Sequence, residues 1–172
     1  MAEQRTQDRF RLGFLTAVRI GAGGHVGGLL VTNRQGRPLE FQCTTPVRPN
    51  RTQEILYGPT LLPFVLGELI GKTLVERVGV KPDLLLVEGE DFLGLREHVA
   101  IPVGCVLTDE SPAAEQEKAT LGRQSIRVHP DFTEDRAAVG KAAESVPADA
   151  DLLEPFERVR EALKETLTAG AA

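Results

Sequence analysis

Two arginines and an asparagine stand close together in a proline-containing segment, and their side chains could bind an anion. Arg48, Asn50 and Arg51 are near neighbours, and Pro46 and Pro49 hold the surrounding segment in an extended loop. Guanidinium groups bind phosphate and carboxylate oxygens through pairs of hydrogen bonds. The segment therefore predicts an anion-binding site. The alternative is that both arginines pair with acids on the protein surface.

Acidic residues follow the most apolar segment of the sequence. Glu88, Glu90 and Asp91 come directly after the run 84–87, which reads Leu-Leu-Leu-Val. Ligands of α/β sheets commonly bind beyond the carboxyl ends of the strands, so Glu88 and Asp91 are candidate functional residues. The alternative interpretation is a solvated loop in which these acids cap a helix.

Several patterns that are typical of cofactor or metal sites are incomplete in this sequence. The segment 67–73 resembles a phosphate-binding loop, but Leu66 stands where the first glycine belongs and the segment lies in a predicted helix. The glycine-rich segment 21–28 does not fit a dinucleotide fingerprint and is predicted to be a flexible connection. The three histidines show no short metal-ligand spacing. We therefore predict no bound metal and no cofactor.

The central element predicted from the sequence is the segment 60–88. A helix over 60–78 carries a wide apolar stripe, and a turn at 79–82 joins it to a strand over 83–88. Because this strand is apolar on both faces, it must be covered on both faces, which places it in the middle of an α/β sheet. Gly67 and Gly71 lie one helical turn apart and predict the close approach of another backbone segment.

The remaining elements give the order of the fold. Strands over 12–20, 28–32 and 38–44 predict an antiparallel meander before the central helix. The elements predicted after the central strand are a short helix over 91–99, a strand over 101–107, an exposed linker over 108–120, a strand over 125–129, and helices over 131–146 and from 151 onwards. We predict a mixed sheet in an α/β domain over 12–146, preceded by a flexible N-terminus over 1–11. An amphipathic helix and tail follow over 147–172, and this helix could pack on its own sheet or on a partner.

This order is similar to that of the ribonuclease H-like fold, and the central segment resembles endonuclease V. The resemblance covers about a fifth of the chain and rests on Tyr57, Pro59, Leu61, Leu62, Phe64 and Glu68, followed by Pro82-Asp-Leu-Leu-Leu-Val-Glu-Gly89. It implies a nuclease site in which acids from the first strand, the first long helix and the fourth strand hold divalent metal. Glu68 and Glu88 match the last two positions. The first strand, however, offers Thr16 or Arg19 where the resemblance implies an aspartate.

The composition limits the classes of function. The chain has 172 residues and a net charge of -5, which argues against broad electrostatic binding of nucleic acid. The polar segment 1–11 is not typical of a signal peptide, and no run of apolar residues is long enough to predict a membrane span. Cys43 and Cys105 lie in apolar segments, as expected for reduced thiols of a cytoplasmic protein.

Three functions are compatible with the sequence, and one of them is a small-molecule binding module that would use the crevice between Glu88-Gly89 and Ile101. The other two are a binding subunit and an enzyme. The first is a cytoplasmic, non-catalytic binding or assembly subunit with a ribonuclease H-like core and a protein partner or a second copy of itself. The missing first-strand acid, the acidic charge and the apolar C-terminal helix favour it, and nucleic acid is not the favoured ligand. The alternative is a metal-dependent phosphodiesterase acting on nucleic acid. In that case Glu68, Glu88 and Asp91 would hold Mg²⁺, and Arg48 and Arg51 would bind phosphate.

Overall fold

The computed structural model describes residues 2, 5, 9–108 and 113–171, and within them seven strands form one mixed sheet. The strands are β1 (Arg11–Ile20), β2 (Gly24–Asn33), β3 (Pro38–Cys43), β4 (Leu84–Val87), β5 (Val103–Val106), β6 (Lys118–Leu121) and β7 (Gln124–Val128). Their spatial order is β3-β2-β1-β4-β5-β7-β6. Strands β1, β4 and β5 are mutually parallel, and the other neighbours are antiparallel. The predicted meander and the predicted mixed sheet are both confirmed.

Helices cover the two faces of this sheet. Helix α1 spans Arg51–Tyr57, and a 3₁₀ turn over Gly58–Thr60 leads into α2. Helix α2 consists of a first turn (Leu61–Pro63), a π-helical part (Phe64–Lys72) and an α-helical end (Thr73–Arg77). A 3₁₀ segment, Glu90–His98, follows β4, and a short 3₁₀ turn, Glu115–Glu117, precedes β6. Helices α3 (Asp135–Ala143) and α4 (Glu154–Ala171) complete the chain.

Strand β4 is covered on both faces, as its sequence predicts. All four of its side chains are fully buried, and they alternate between two hydrophobic clusters. Leu84 and Leu86 pack with residues of α3 and α4, whereas Leu85 and Val87 pack with residues of α2 and the 3₁₀ segment. The central strand therefore separates the two helical layers, and each layer packs its side chains on one face of the sheet.

Helix α2 has an apolar face that is wide because it packs on the sheet and on the 3₁₀ segment together. The helical stretch Arg51–Arg77 is long and apolar enough to cross a membrane by length and composition alone. Ile70 and Leu74, however, are fully buried in the cluster that includes Leu85. A β-carbon on Gly67 would lie 3.4 Å from the backbone nitrogen of Leu95 in the 3₁₀ segment, so the predicted close approach of another backbone segment is confirmed at this glycine. At Gly71 the close contact, 2.9 Å, is with the side chain of Leu95.

Some local predictions were wrong. The flexible connection predicted over 21–28 is only a turn, because β2 begins at Gly24 and pairs with β1 along its whole length. Gly27 is required inside this strand, since its β-carbon would lie 2.0 Å from Ile70. The predicted exposed linker over 108–120 contains β6, which is ordered by its antiparallel pairing with β7. Residues 109–112 of that linker, most of the predicted flexible N-terminus and Ala172 lie outside the described residues.

Candidate functional site

Glu88 and Thr16 lie side by side where β4 ends. Val87 pairs with Leu15 in the parallel register, and the Glu88 backbone N–H donates to the Leu15 carbonyl at 3.3 Å. The Thr16 hydroxyl donates to a carboxylate oxygen of Glu88 at 3.1 Å. Because side chains alternate along a strand, Glu88 points to the same face as Leu86, which is the face covered by α4. Thr16 thus occupies the first-strand position at which the resemblance implies an acid.

Arg160 of α4 contacts the Glu88 carboxylate on the face of the sheet that α4 covers. Its Nη1 donates to both carboxylate oxygens, and the two side chains are each about one-third exposed, 32% for Arg160 and 33% for Glu88. Together with the bond from Thr16, the carboxylate accepts three hydrogen bonds. The guanidinium of Arg160 therefore neutralises the charge of the Glu88 carboxylate. Arg160 is not predicted as a site residue, because nothing in the local sequence of α4 distinguishes it from the other charged residues of that helix.

The three predicted carboxylates are not brought together. Glu68 lies on α2, which packs on the opposite face of β4, and its carboxylate lies 3.3 Å from Nε2 of His98. Asp91 is exposed in the 3₁₀ segment. Among the described residues, no group of three metal-ligating side chains within 4.8 Å of one another includes Glu68, Glu88 or Asp91. The helix acid and the strand acid thus belong to elements that pack on opposite faces of β4.

A second pairing of acids with arginine lies beside β5. Arg127 of β7 donates to Glu117 at 3.0 Å and to Glu90 at 2.8 Å. The neighbouring thiol of Cys105 is buried, and burial raises its pKa to about 11. The thiol is therefore protonated near neutral pH and is not available as a thiolate nucleophile. Glu88 and Glu90, the two acids nearest the end of β4, are both paired with arginine.

Glu97, His129 and Asp131 form the group whose possible ligand atoms do lie within 4.8 Å of one another. The Asp131 backbone N–H donates to Nδ1 of His129 at 3.1 Å, and Nε2 of the same ring lies 3.1 Å from the Glu97 carboxylate. The hydrogen bond to Nδ1 places the ring proton on Nε2, which then donates to Glu97. A metal on Nε2 would require the proton on Nδ1, where it would face the Asp131 N–H. The His129 ring is thus hydrogen-bonded through both of its nitrogens, and this geometry does not favour a metal.

The predicted anion site lies at the start of α1, and the structure gives each of its residues a different environment. The Asn50 side chain accepts the Gln53 N–H at 2.8 Å, and the Gln53 side chain accepts the Asn50 N–H at 2.9 Å, which forms a capping box. Arg51 forms an exposed ion pair with Glu54 at 3.2 Å. Arg48 packs over Gly24 of β2. Anion binding by these residues stays a prediction.

Helix α1 presents apolar side chains to solvent. It contains no buried residue, and Ile55 and Leu56 at its end are 65% and 77% exposed. Tyr57 stacks on Phe64 at 4.4 Å between ring centroids and fixes α1 against the first turns of α2. These two adjacent side chains form an exposed apolar surface at the end of α1.

The similarity of this chain to known proteins lies in its fold. No protein-family model matches the chain, and no curated protein matches it either. The crystal structure of human endonuclease V is similar to it with a TM-score of 0.59 and 13% identity, over 92% of this chain and 86% of that one. The catalytic domain of human endonuclease V gives a TM-score of 0.52 and 16% identity, over 98% and 89% of the two chains.

A third similar structure is that of a Ciona intestinalis endonuclease V variant in complex with a 23mer DNA. Its TM-score is 0.51 and its identity is 11%, over 91% of this chain and 86% of that chain. Identities this low establish the fold and no more. Together with the strand order and the covered central strand, they lead to one conclusion: this chain has a ribonuclease H-like α/β fold, with endonuclease V among its structural neighbours.

Proposed function

We propose that this chain is a binding protein with a ribonuclease H-like core that contacts nucleic acid and does not cleave it by a metal-dependent reaction. The observation that carries the proposal is the ion pair of Glu88 with Arg160 at the end of β4. Nucleic acid is proposed as the ligand because a protein of similar fold was crystallised in complex with DNA.

The residues at the end of β4 do not fit the divalent metal that nucleases of this fold imply. Such a metal is held by several carboxylates. Here Thr16 is neutral, Glu68 lies on the other face of the sheet, and Arg160 already donates to both oxygens of Glu88. A cation bound to the same carboxylate would be repelled by the guanidinium. The local chemistry therefore supports binding over metal-dependent hydrolysis.

The charge of the protein indicates where nucleic acid would bind. With a net charge of -5, the surface as a whole repels phosphate, so contacts must be confined to local groups of arginines. Arg48 and Arg51 lie close together in sequence beside α1 and are the candidates for such a group. Arginine contacts to phosphate oxygens occur in known nucleic-acid interfaces.

The first test measures binding and cleavage together. The fluorescence anisotropy of a labelled single-stranded oligonucleotide should rise on addition of the protein. Binding should not require Mg²⁺ and should persist in EDTA, and the oligonucleotide should remain intact on a denaturing gel. The double variant Arg48→Ala/Arg51→Ala should bind about tenfold more weakly, because two phosphate contacts are lost. Arg123→Ala, which removes a charge at the turn between β6 and β7, is the control. An oligonucleotide that does not bind would refute the proposed ligand.

A metal-dependent phosphodiesterase acting on nucleic acid is the second candidate. It is favoured by the likeness of the chain to the catalytic domain of an endonuclease V. The same gel separates the two functions. Cleavage that requires Mg²⁺ or Mn²⁺ and disappears in Glu88→Gln would establish the phosphodiesterase and overturn the non-catalytic proposal.

An assembly role is supported by the exposed end of α1. We propose that a second copy of the chain covers Ile55 and Leu56, because Arg51 and Glu54 on the same helix carry opposite charges that a two-fold axis would bring together. Sedimentation velocity should then show a dimer that Leu56→Glu converts to a monomer. Leu39→Glu, at an exposed leucine of β3, should leave the dimer intact. A wild-type protein that is monomeric at all concentrations would contradict this role.

A further inference from the structure

We propose that Arg160 binds a phosphate group of the nucleic acid at the end of β4, the position where a metal-dependent nuclease of this fold would place a cation. The inference rests on the proposed function, and it names the side chain that contacts the ligand at this end of the sheet.

The guanidinium of Arg160 uses only part of its hydrogen-bonding capacity. An arginine carries five N–H donors, and Nη1 directs its donors to the two oxygens of Glu88. Among the described residues, none of the hydrogen bonds or ion pairs of Arg160 involves Nε or Nη2. These two nitrogens form the edge of the guanidinium that binds phosphate oxygens in a bidentate manner. The side chain is 32% exposed, so a ligand can reach that edge.

The protein holds the guanidinium in place before any ligand arrives. Helix α4 is anchored by Phe156, Val159 and Leu163, which are buried in the same cluster as Phe14. Glu88 fixes the position of Nη1, and the Thr16 hydroxyl orients Glu88. A side chain that is already ordered loses less conformational entropy when it binds a ligand. Arg160 therefore differs from an arginine such as Arg51, whose side chain is 82% exposed.

Glu88 has two opposite effects on a bound phosphate. It orders the guanidinium, but its negative charge also repels the ligand and cancels much of the attraction by Arg160. Replacing Glu88 by glutamine removes the charge and keeps an oxygen that can accept a hydrogen bond from Thr16 or Arg160. Loss of the arginine and loss of the glutamate should consequently change the affinity in opposite directions. A purely structural ion pair would not produce this pattern, since both substitutions would only disturb the fold.

The experiment compares three variants in the anisotropy assay, with folding checked by circular dichroism. Arg160→Gln should weaken binding of the oligonucleotide about tenfold and reduce the slope of log affinity against log salt by about one between roughly 50 and 200 mM. Glu88→Gln should tighten binding several-fold. Arg158→Gln is the matched control, because it removes the same charge from the same helix, where Arg158 pairs with Glu154 and the Gly36 carbonyl. Its affinity should stay close to that of the wild type.

The outcomes separate this inference from the proposed function. If the wild type binds the oligonucleotide and Arg160→Gln behaves like Arg158→Gln, the inference is overturned and the proposed function stands. If the wild type does not bind, the proposed function itself fails, and the inference fails with it. Should Arg160→Gln not fold, Glu88→Gln decides the question, because unchanged or weaker binding by that variant would overturn the role of Arg160.

Discussion

Replacing Thr16 by aspartate and Arg160 by alanine together should create a Mn²⁺ site at the end of β4 that the wild type lacks. The aspartate adds a second carboxylate beside Glu88, since Thr16 already lies within hydrogen-bonding distance of it. Loss of the guanidinium removes a repulsion that amounts to several kcal/mol at an effective dielectric constant of about 20. Electron paramagnetic resonance of free Mn²⁺ should show binding at least about tenfold tighter than to the wild type.

Thr16→Asn/Arg160→Ala is the matched control for this variant. It has nearly the same volume as the aspartate variant and loses the same arginine, but it lacks the second negative charge. It should bind Mn²⁺ far more weakly than the aspartate variant, which would show that the charge creates the site. A wild-type protein that binds Mn²⁺ as tightly as the double variant, and loses it in Glu88→Gln, would contradict our account of this end of the sheet and favour the phosphodiesterase.

Replacing Phe156 by alanine should lower the free energy of unfolding by about 3–5 kcal/mol. Phe156 is fully buried, and its ring contacts that of Phe14 edge to face at 5.5 Å between centroids. The substitution removes this contact and leaves a cavity between α4 and β1. For a chain of this length, each kcal/mol corresponds to about 2–4 °C in melting temperature, so the loss should be easily seen in thermal and urea denaturation.

Leu39→Ala is the control for Phe156→Ala. Leu39 is 43% exposed on the edge strand β3 and lies outside the proposed dimer surface, so its truncation should change the unfolding free energy by about 1 kcal/mol or less. A comparably small effect of Phe156→Ala would mean that α4 contributes little to the stability of the sheet. That result would also weaken the inference about Arg160, which requires α4 to be held firmly against β1.

The fold could be predicted from the sequence because its strongest signals are local. The run from Leu84 to Val87 is apolar at every position, and such a strand is stable only when both of its faces are covered. The spacing of Leu152, Phe156, Val159 and Leu163 likewise predicts the amphipathic helix α4. The glycine-rich start of β2 was harder to predict. Gly27 is required by a contact with Ile70, which is distant in sequence and appears only when α2 packs on the sheet.

The candidate site was predicted only in part. Glu88 was identified because it directly follows an apolar strand, and the absence of a first-strand acid was visible at Thr16. The partner of Glu88 could not be predicted, since Arg160 lies 72 residues away and its direction depends on how α4 docks. The separation of Glu68 from Glu88 was equally hidden, because the sequence does not state which face of the sheet each helix covers.

By itself, the sequence determined the α/β class, the buried central strand and the lack of an acid on β1, because hydrophobic periodicity and residue identity act over a few neighbouring positions. Only the tertiary structure decided that Arg160 from the last helix neutralises Glu88. It also decided that Glu68 belongs to a helix on the opposite face of the sheet. Those relations arise from the docking of α2 and α4 on opposite faces. Docking is set by side-chain packing between distant segments, and no local pattern encodes it.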